Sequence, residues 1–371
     1  MKRRLKGQLH NVIFYTVFAL ATVFSLLYIF LIPHRVEEVR EAEPSSLVFA
    51  TRAPLTRTAP VSSLTTPDPD VSGPAETPAT PYPSEPPESP TAPGATDLPD
   101  ATGVPDEDPV TDPGGPTLPI RDKLFSDGGP IISDDSYADD HLDVRILRYR
   151  EYDTDIYVAD VYVTSAEYLL TGFARDKYGR NLHEVTSSIA KRHGAVLAVN
   201  GDYYGAQDRG YVVRNGVTYR NQVSDREALA VFADGSFRIF EERNVSLDSL
   251  ELAGLWQTFT FGPGLVTDGT LAVDEQSEVE VHLESNPRTA IAEIEPLHYL
   301  FVVSDGRTEE SEGLTLLQLG EFLKALGARN AYNLDGGGSS TMVFMGRVIN
   351  QPTTYGDKIA ERSVSDIVYV R

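Results

Sequence analysis

The chain has 371 residues, a formal net charge of −23 and no cysteine. The missing cysteines exclude disulfides, thiolate zinc centres and cysteine nucleophiles. The acidic balance repels nucleic acid at long range, so no nucleic-acid partner is expected, and any phosphate-bearing ligand must be met by local arginines.

Residues 1–11 carry Lys2, Arg3, Arg4 and Lys6 and precede an uncharged apolar run, Val12–Ile32. The run reaches the ~20 residues that span a bilayer. Positive charge on its N-terminal side predicts a cytoplasmic N-terminus with the rest of the chain outside. A cleaved signal peptide is the rival reading, but its apolar core would be shorter and followed by a small-x-small site. The expectation is a single-pass signal anchor at 12–32.

Residues 33–120 read as a disordered stalk. Of the 25 prolines, 18 lie between Pro54 and Pro119, and no Lys or Arg occurs between Arg57 and Arg121. Such a segment has too little apolar surface to offset its conformational entropy.

Residues 121–371 read as one globular domain of class α+β, a strand-rich mixed α/β, large enough at roughly 250 residues to be stabilised by its core alone. Branched and aromatic residues predict strands at Val144–Tyr149 and Ile156–Val163. A helix is predicted over Leu182–Arg192, leading into a strand at Ala195–Val199. Leu229–Phe232 and Phe237–Phe240 flank a hairpin turn, Ala233-Asp234-Gly235-Ser236, and Asp268-Gly269 and Met345-Gly346 mark two more turns. Tyr299–Val303 has the unbroken apolar character of a buried strand. Thr315 and Gln318 fit a capping box for a second helix with an apolar stripe of Leu316, Leu319, Phe322, Leu323 and Leu326. Gly327 supplies its left-handed cap, and a strand at Ala331–Leu334 follows. Ser363–Val370 closes the chain as a strand.

Polar residues that cannot enter the core collect at strand ends. Three segments stand out: Asn200-Gly201-Asp202-Tyr203-Tyr204, Ser304-Asp305-Gly306-Arg307, and Asp335-Gly336-Gly337-Gly338-Ser339-Ser340. Asp-Gly after a strand is usually a turn. Three consecutive glycines exceed what a turn needs, and suit a loop closely approached by a ligand or anion. No Gly-Lys-Ser/Thr follows, so the loop is not a P-loop. The seven histidines show no metal-ligand spacing and none marks Ser339 or Ser340 as a nucleophile. Arg288, in Asn286-Pro287-Arg288-Thr289-Ala290, is either a surface ion pair or a bidentate phosphate clamp. Tyr203 and Tyr204 offer flat faces to a sugar, unless one is simply core.

Taken together, Ala198–Gly205, the Val212–Val217 hairpin, Leu229–Phe237, Phe261–Val266, Asn286–Ala292, Phe301–Arg307 and Leu326–Val343 resemble the phosphodiester glycosidase family. Its animal members include N-acetylglucosamine-1-phosphodiester α-N-acetylglucosaminidase, and many bacterial members are labelled exopolysaccharide biosynthesis proteins. Asp202 departs from the pattern, standing where many relatives have a second glycine, as Ala292 does after the Pro-Arg-Thr segment. The cysteines, EGF-like module and C-terminal span of the animal enzyme are absent, so its lysosomal-targeting role is not carried over; the expected anchor and stalk point instead to a bacterial cell surface with an extracellular domain.

The resemblance implies hydrolysis of a sugar joined through its anomeric carbon to a phosphodiester in a phosphorylated surface glycan. The candidate catalytic carboxylates are Asp335, Asp305 and Asp202, the last on its place in the sequence alone, since relatives with glycine there lend it no role. Arg288 and the Gly336, Gly337 and Gly338 amides would hold phosphate. Asn200 and Tyr204 would bind sugar hydroxyls, and Gly201, Arg307, Ser339 and Ser340 complete the expected substrate-binding set. No cofactor is required, though the three aspartates could hold Ca²⁺ or Mg²⁺ with the phosphate as a ligand. Two alternatives stay open: a non-catalytic module binding phosphosugar polymers, and a metal-dependent phosphodiesterase.

Overall fold

The computed structural model describes residues 47–51, 115–119, 121, 125–277, 285–356 and 358–371. The segments expected to be a cytoplasmic N-terminus (1–11) and a membrane anchor (12–32), and most of the expected stalk, lie outside the described residues. Among those described, no helix is long and apolar enough to cross a membrane.

Strands dominate, as their branched and aromatic content requires. The largest sheet has nine antiparallel strands. Its centre is built from Leu142–Glu151, Thr154–Val163, His298–Ser304, Arg288–Glu295 and Asn330–Asn333. These overlap the predicted strands and extend most of them by a residue or more. A five-stranded sheet joins Met342–Phe344, Leu197–Asn200, Asp366–Val370 and Leu169–Phe173 with the short Arg347–Val348. A three-stranded sheet carries the predicted hairpin of Glu227–Phe232 and Phe237–Glu241.

Alternation along the strands sorts the core. Ala290 and Ala292 join Leu319, Phe322 and Leu323 of the helix Leu316–Ala325 on one face of the large sheet. Ile291, Phe301 and Val303 face the other way, into a core shared with Leu197, Val199, Val368, Leu229 and Phe259. Each large apolar side chain buried there contributes about 1.5–3 kcal/mol. The helix Thr186–His193 covers the outer face of the five-stranded sheet, with Ile189 and Ala190 against Ala198, Ile367 and Tyr369.

The two helices differ in how well local sequence defines them. The Thr315 hydroxyl accepts the Gln318 N–H at 3.1 Å, and the Gln318 side chain accepts the Thr315 N–H at 2.9 Å. Gly327 follows with φ +90°. The first helix starts at Thr186 and not Leu182, because Glu184–Val185 is a strand paired with Ser363–Val364. The closing strand likewise divides at Ser365, its two parts belonging to different sheets.

The expected stalk boundary needs correction. Leu47 and Phe49 pack on the main core, with Phe49 edge-on to Trp256 at 4.9 Å. The Ala50 N–H donates to the Ala233 carbonyl at 3.1 Å, and Thr51 bridges to Ser165. Further on, the Thr117 carbonyl accepts the Tyr149 hydroxyl at 2.8 Å, and Leu118 packs near the helix-side cluster. Residues 47–51 and 115–119 are therefore held on the domain. Apolar side chains in a proline-rich region were enough to dock.

Candidate active site

In antiparallel register, Arg288 stands opposite Ser304, and Ala290 opposite Asn333. One end of the large sheet thus gathers Arg288, the start of the Asp305 loop and the entry to the glycine loop. Asn200 ends its strand in the five-stranded sheet and meets the same place from the other side. Between these ends lies a cleft of about 500 Å³.

The cleft is lined by Asp335, Gly336, Gly337, Arg288, Arg307 and Arg362, together with Tyr203, Gln207, Arg226 and Phe261. Among the described lining residues Asp335 is the only carboxylate and arginine is the commonest charge. A molecule of net charge −23 therefore presents a locally cationic cleft, as an anionic ligand requires.

Asp335 is 7 % exposed. Its carboxylate accepts Arg362 Nη2 at 3.0 and 3.2 Å and the Ser339 hydroxyl at 2.6 Å. Burial raises its carboxyl above the ordinary range, against the opposing pull of Arg362. Arg288 Nε donates to the Leu314 carbonyl at 2.8 Å, which fixes the guanidinium on the cleft wall. Arg307 donates through Nε and Nη2 to Asn286 Oδ1, at 3.2 and 2.8 Å. Desolvation, with the charge of Arg362 beside it, lowers the Arg307 proton affinity.

The glycines serve close approach more than amide donation. A Cβ on Gly336 would lie 3.0 Å from the Pro287 carbonyl, and one on Gly337 would lie 3.0 Å from Arg307 Nη2. Gly337 also has φ +60°, and its N–H is already donated to the Pro287 carbonyl at 2.7 Å. Gly338 lies outside the cleft lining, against the Thr354 side chain. Of the three expected amides, the Gly337 N–H is therefore already donated within the protein and Gly338 lies outside the lining, while Arg288 and Arg307 close in where glycine leaves room.

Several expected site residues sit behind the cleft. Asp202 is fully buried: Oδ1 accepts Arg214 Nη2 at 2.8 Å and the Tyr204 N–H at 3.1 Å, and Oδ2 accepts the Thr260 N–H at 2.8 Å. Asp305 Oδ1 accepts Asn350 Nδ2 at 3.1 Å and the Gln351 N–H at 2.8 Å. The nearby Tyr157 hydroxyl is pushed up to about 12, first by burial and then by Asp305. Neither carboxylate lines the cleft. Tyr204 is core, stacked on Tyr178 at 5.3 Å, while its neighbour Tyr203 is 39 % exposed and faces the cleft. Asn200, Gly201, Ser339 and Ser340 are buried as well, Ser339 reaching the site through its bonds to Asp335 and Arg362.

The three aspartates therefore do not share a metal-binding pocket. Among the described residues no three His, Cys, Asp or Glu side chains are placed to hold a metal ion. One carboxylate among arginines does not suit Ca²⁺ or Mg²⁺, which take several oxygen ligands.

Arg362 was not anticipated. It follows a turn rich in small and charged residues and reads as surface charge; only the long-range contact with Asp335 singles it out.

Known proteins resemble the chain in this region. Residues 193–371 match the phosphodiester glycosidase family. The SPbeta prophage-derived uncharacterized protein YomE of Bacillus subtilis (strain 168) is 30% identical over 202 residues, 52% of this chain and 30% of that protein. Mouse N-acetylglucosamine-1-phosphodiester alpha-N-acetylglucosaminidase is 38% identical over 68 residues, 18% of this chain and 13% of the enzyme. The chain thus spans less than a third of the length of these curated relatives. The zebrafish catalytic domain of that enzyme, solved in a form auto-inhibited by its pro-peptide, shares the fold. Its TM-score is 0.50 at 19% identity, over 62% of this chain and 82% of the zebrafish one.

Proposed function

We propose that the protein hydrolyses the bond between a sugar's anomeric carbon and a phosphodiester, a reading supported by the match of residues 193–371 to the phosphodiester glycosidase family. The observation that carries this reading is Asp335, a single buried carboxylate in a cleft otherwise charged by arginine. Ordinary glycosidases need two carboxyl groups, one of them to protonate a poor leaving group. A phosphomonoester leaves without protonation, so one carboxylate suffices once the phosphate is held.

In this mechanism Arg288 and Arg307 grip the phosphate from the wall beside Gly336 and Gly337, with charge-assisted hydrogen bonds to its oxygens. Arg362 holds the Asp335 carboxylate in place and favours its ionised form against the burial that opposes it. As the C–O bond lengthens, positive charge grows on the sugar ring, and the Asp335 carboxylate stabilises it and orients the attacking water. The phosphate oxygen departs with the bonding electron pair. Water adds to the anomeric carbon and loses its proton to solvent. Tyr203 offers the ring face for sugar stacking.

The substrate class is a phosphorylated glycan. We place the reaction at the outer surface of a membrane, which the apolar run 12–32 with its preceding positive charges supports. The test is turnover of the full-length protein on a panel of sugar-1-phosphodiesters. Release of sugar and phosphomonoester, abolished by Asp335→Asn, supports the reading. Tight binding of the panel without turnover would instead favour a binding module.

A further inference from the structure

Asn200 is the first residue a substrate-binding role would recruit, yet its carboxamide faces away from solvent and is engaged on both sides. Nδ2 donates to the Asp335 carbonyl at 2.5 Å. Oδ1 accepts the Thr289 hydroxyl at 2.9 Å and the Thr341 N–H at 3.3 Å. One side chain thus ties the end of its own strand to the residue after Arg288, to the far end of the glycine loop and to Asp335. The next carbonyl, that of Gly201, accepts the Asp335 N–H at 3.2 Å. Both backbone groups of Asp335 are therefore held by residues 200 and 201.

That pair is itself anchored. The Gly201 N–H donates to the Asp366 carbonyl at 2.9 Å, and a Cβ there would stand 2.1 Å from Asp366 Oδ1, so only glycine fits. Arg214, fully buried, donates to Asp366 at 2.9 Å and to Asp202 at 2.8 Å, with further bonds to the Val213 and Thr258 carbonyls. Its guanidinium lies 4.8 Å from the Phe259 ring centroid. The cluster makes the 200–202 turn rigid on its buried side.

We propose that Asn200 is a positioning residue for Asp335: its carboxamide, on a turn fixed by the Asp202–Arg214–Asp366 cluster, sets where the Asp335 carboxylate stands in the cleft. The proposal rests on the glycosidase reading for its kinetic consequence, and on hydrogen-bond geometry alone for its structural one. Asp335 faces Arg362 and Ser339 directly, with Arg288 and Arg307 lining the same cleft and Asp202 behind it. Loosening its backbone moves the carboxylate relative to both the burial that raises its proton affinity and the Arg362 charge that lowers it.

The experiment uses the full chain and Asn200→Ala, which removes every hydrogen bond of the carboxamide without adding charge, and Asn200→Gln as a second variant should alanine fail to fold. On a sugar-1-phosphodiester the expected result is a kcat loss on the order of 10-fold or more, with KM within about threefold. In an Asp335→Asn background the same change should cost almost nothing further, since it acts through a carboxylate no longer there. A raised KM with kcat intact, or full additivity, overturns the proposal. Independently of turnover, the Asp335 carboxyl is followed by ¹³C NMR against pH. Its midpoint should move in the Asn200 variant, and an unchanged midpoint in a folded variant also overturns the proposal. Failure of wild type to turn over any sugar phosphodiester would defeat the glycosidase reading while leaving this titration to decide on Asn200.

Discussion

Arg362 Nη2 spans both carboxylate oxygens of Asp335, at 3.0 and 3.2 Å, and also donates to the Gly336 carbonyl at 3.0 Å. The same guanidinium therefore holds the carboxylate and the first glycine of the loop. Its charge lowers the Asp335 proton affinity that burial raises. Arg362→Gln removes the lowering, so the Asp335 carboxyl should titrate at higher pH. If the ionised form is the working one, the acid limb of the kcat/KM profile moves up in pH. Asp202→Asn removes a like charge and moves it down. Steady-state profiles of the two variants check the signs, and parallel shifts in one direction would contradict the assignment.

Asp335, Asp305 and Asp202 look alike in sequence but should respond differently to substitution. Asp335→Asn should lower turnover by about 10²-fold or more with little change in melting temperature. Asp305→Ala strands the Asn350 and Gln351 donors and should cost about 1–3 kcal/mol of stability, while the folded fraction keeps kcat/KM within a few-fold. Activity per folded molecule, corrected by denaturant titration, separates the two.

Much of the fold was legible because its signals are local. The Thr315–Gln318 capping box and Gly327 lie within one helix, and alternation placed the central strands to within a few residues. The site was legible as a set of segments, but the roles within it were not. Asp202, Asp305 and Asp335 each lie at a strand end beside glycine. What separates them is a distant partner: Arg214, Asn350 and Arg362 respectively. No spacing rule reveals which carboxylate meets which. Tyr203 and Tyr204 show the same limit, since one of two adjacent side chains turns inward and local sequence does not say which.

Arg214 neutralises one of the two carboxylates it touches, and burial raises the Asp366 carboxyl. Arg214→Met leaves two buried acids uncompensated and should destabilise by about 3–5 kcal/mol near neutral pH. The sign with pH follows. The Asp366 carboxyl, already raised by burial, loses the guanidinium that lowers it, so the folded variant binds more protons than the unfolded one and stability rises as pH falls. Denaturant midpoints measured from pH 8 down to pH 5 should narrow the gap to wild type; a constant gap would mean that the acids are not both buried in the variant.

Docking of Leu47–Thr51 on the domain is tested by substitution at Phe49. Phe49→Ala should lower stability by about 1–2 kcal/mol, less than the ~3–5 of a fully buried aromatic. Replacing residues 58–112 with a short flexible linker should leave the thermal midpoint nearly unchanged. If Phe49→Ala were silent, residues 47–51 would not be held in solution.

The central claim is that water attacks the sugar and not the phosphorus. Full-length protein turning over a sugar-1-phosphodiester in ¹⁸O-water tests it most directly, with both products read by mass spectrometry. The account predicts the label in the anomeric hydroxyl of the sugar and none in the phosphomonoester. Label in the phosphate would contradict it, and would mean that the arginine cleft around Asp335 supports P–O cleavage.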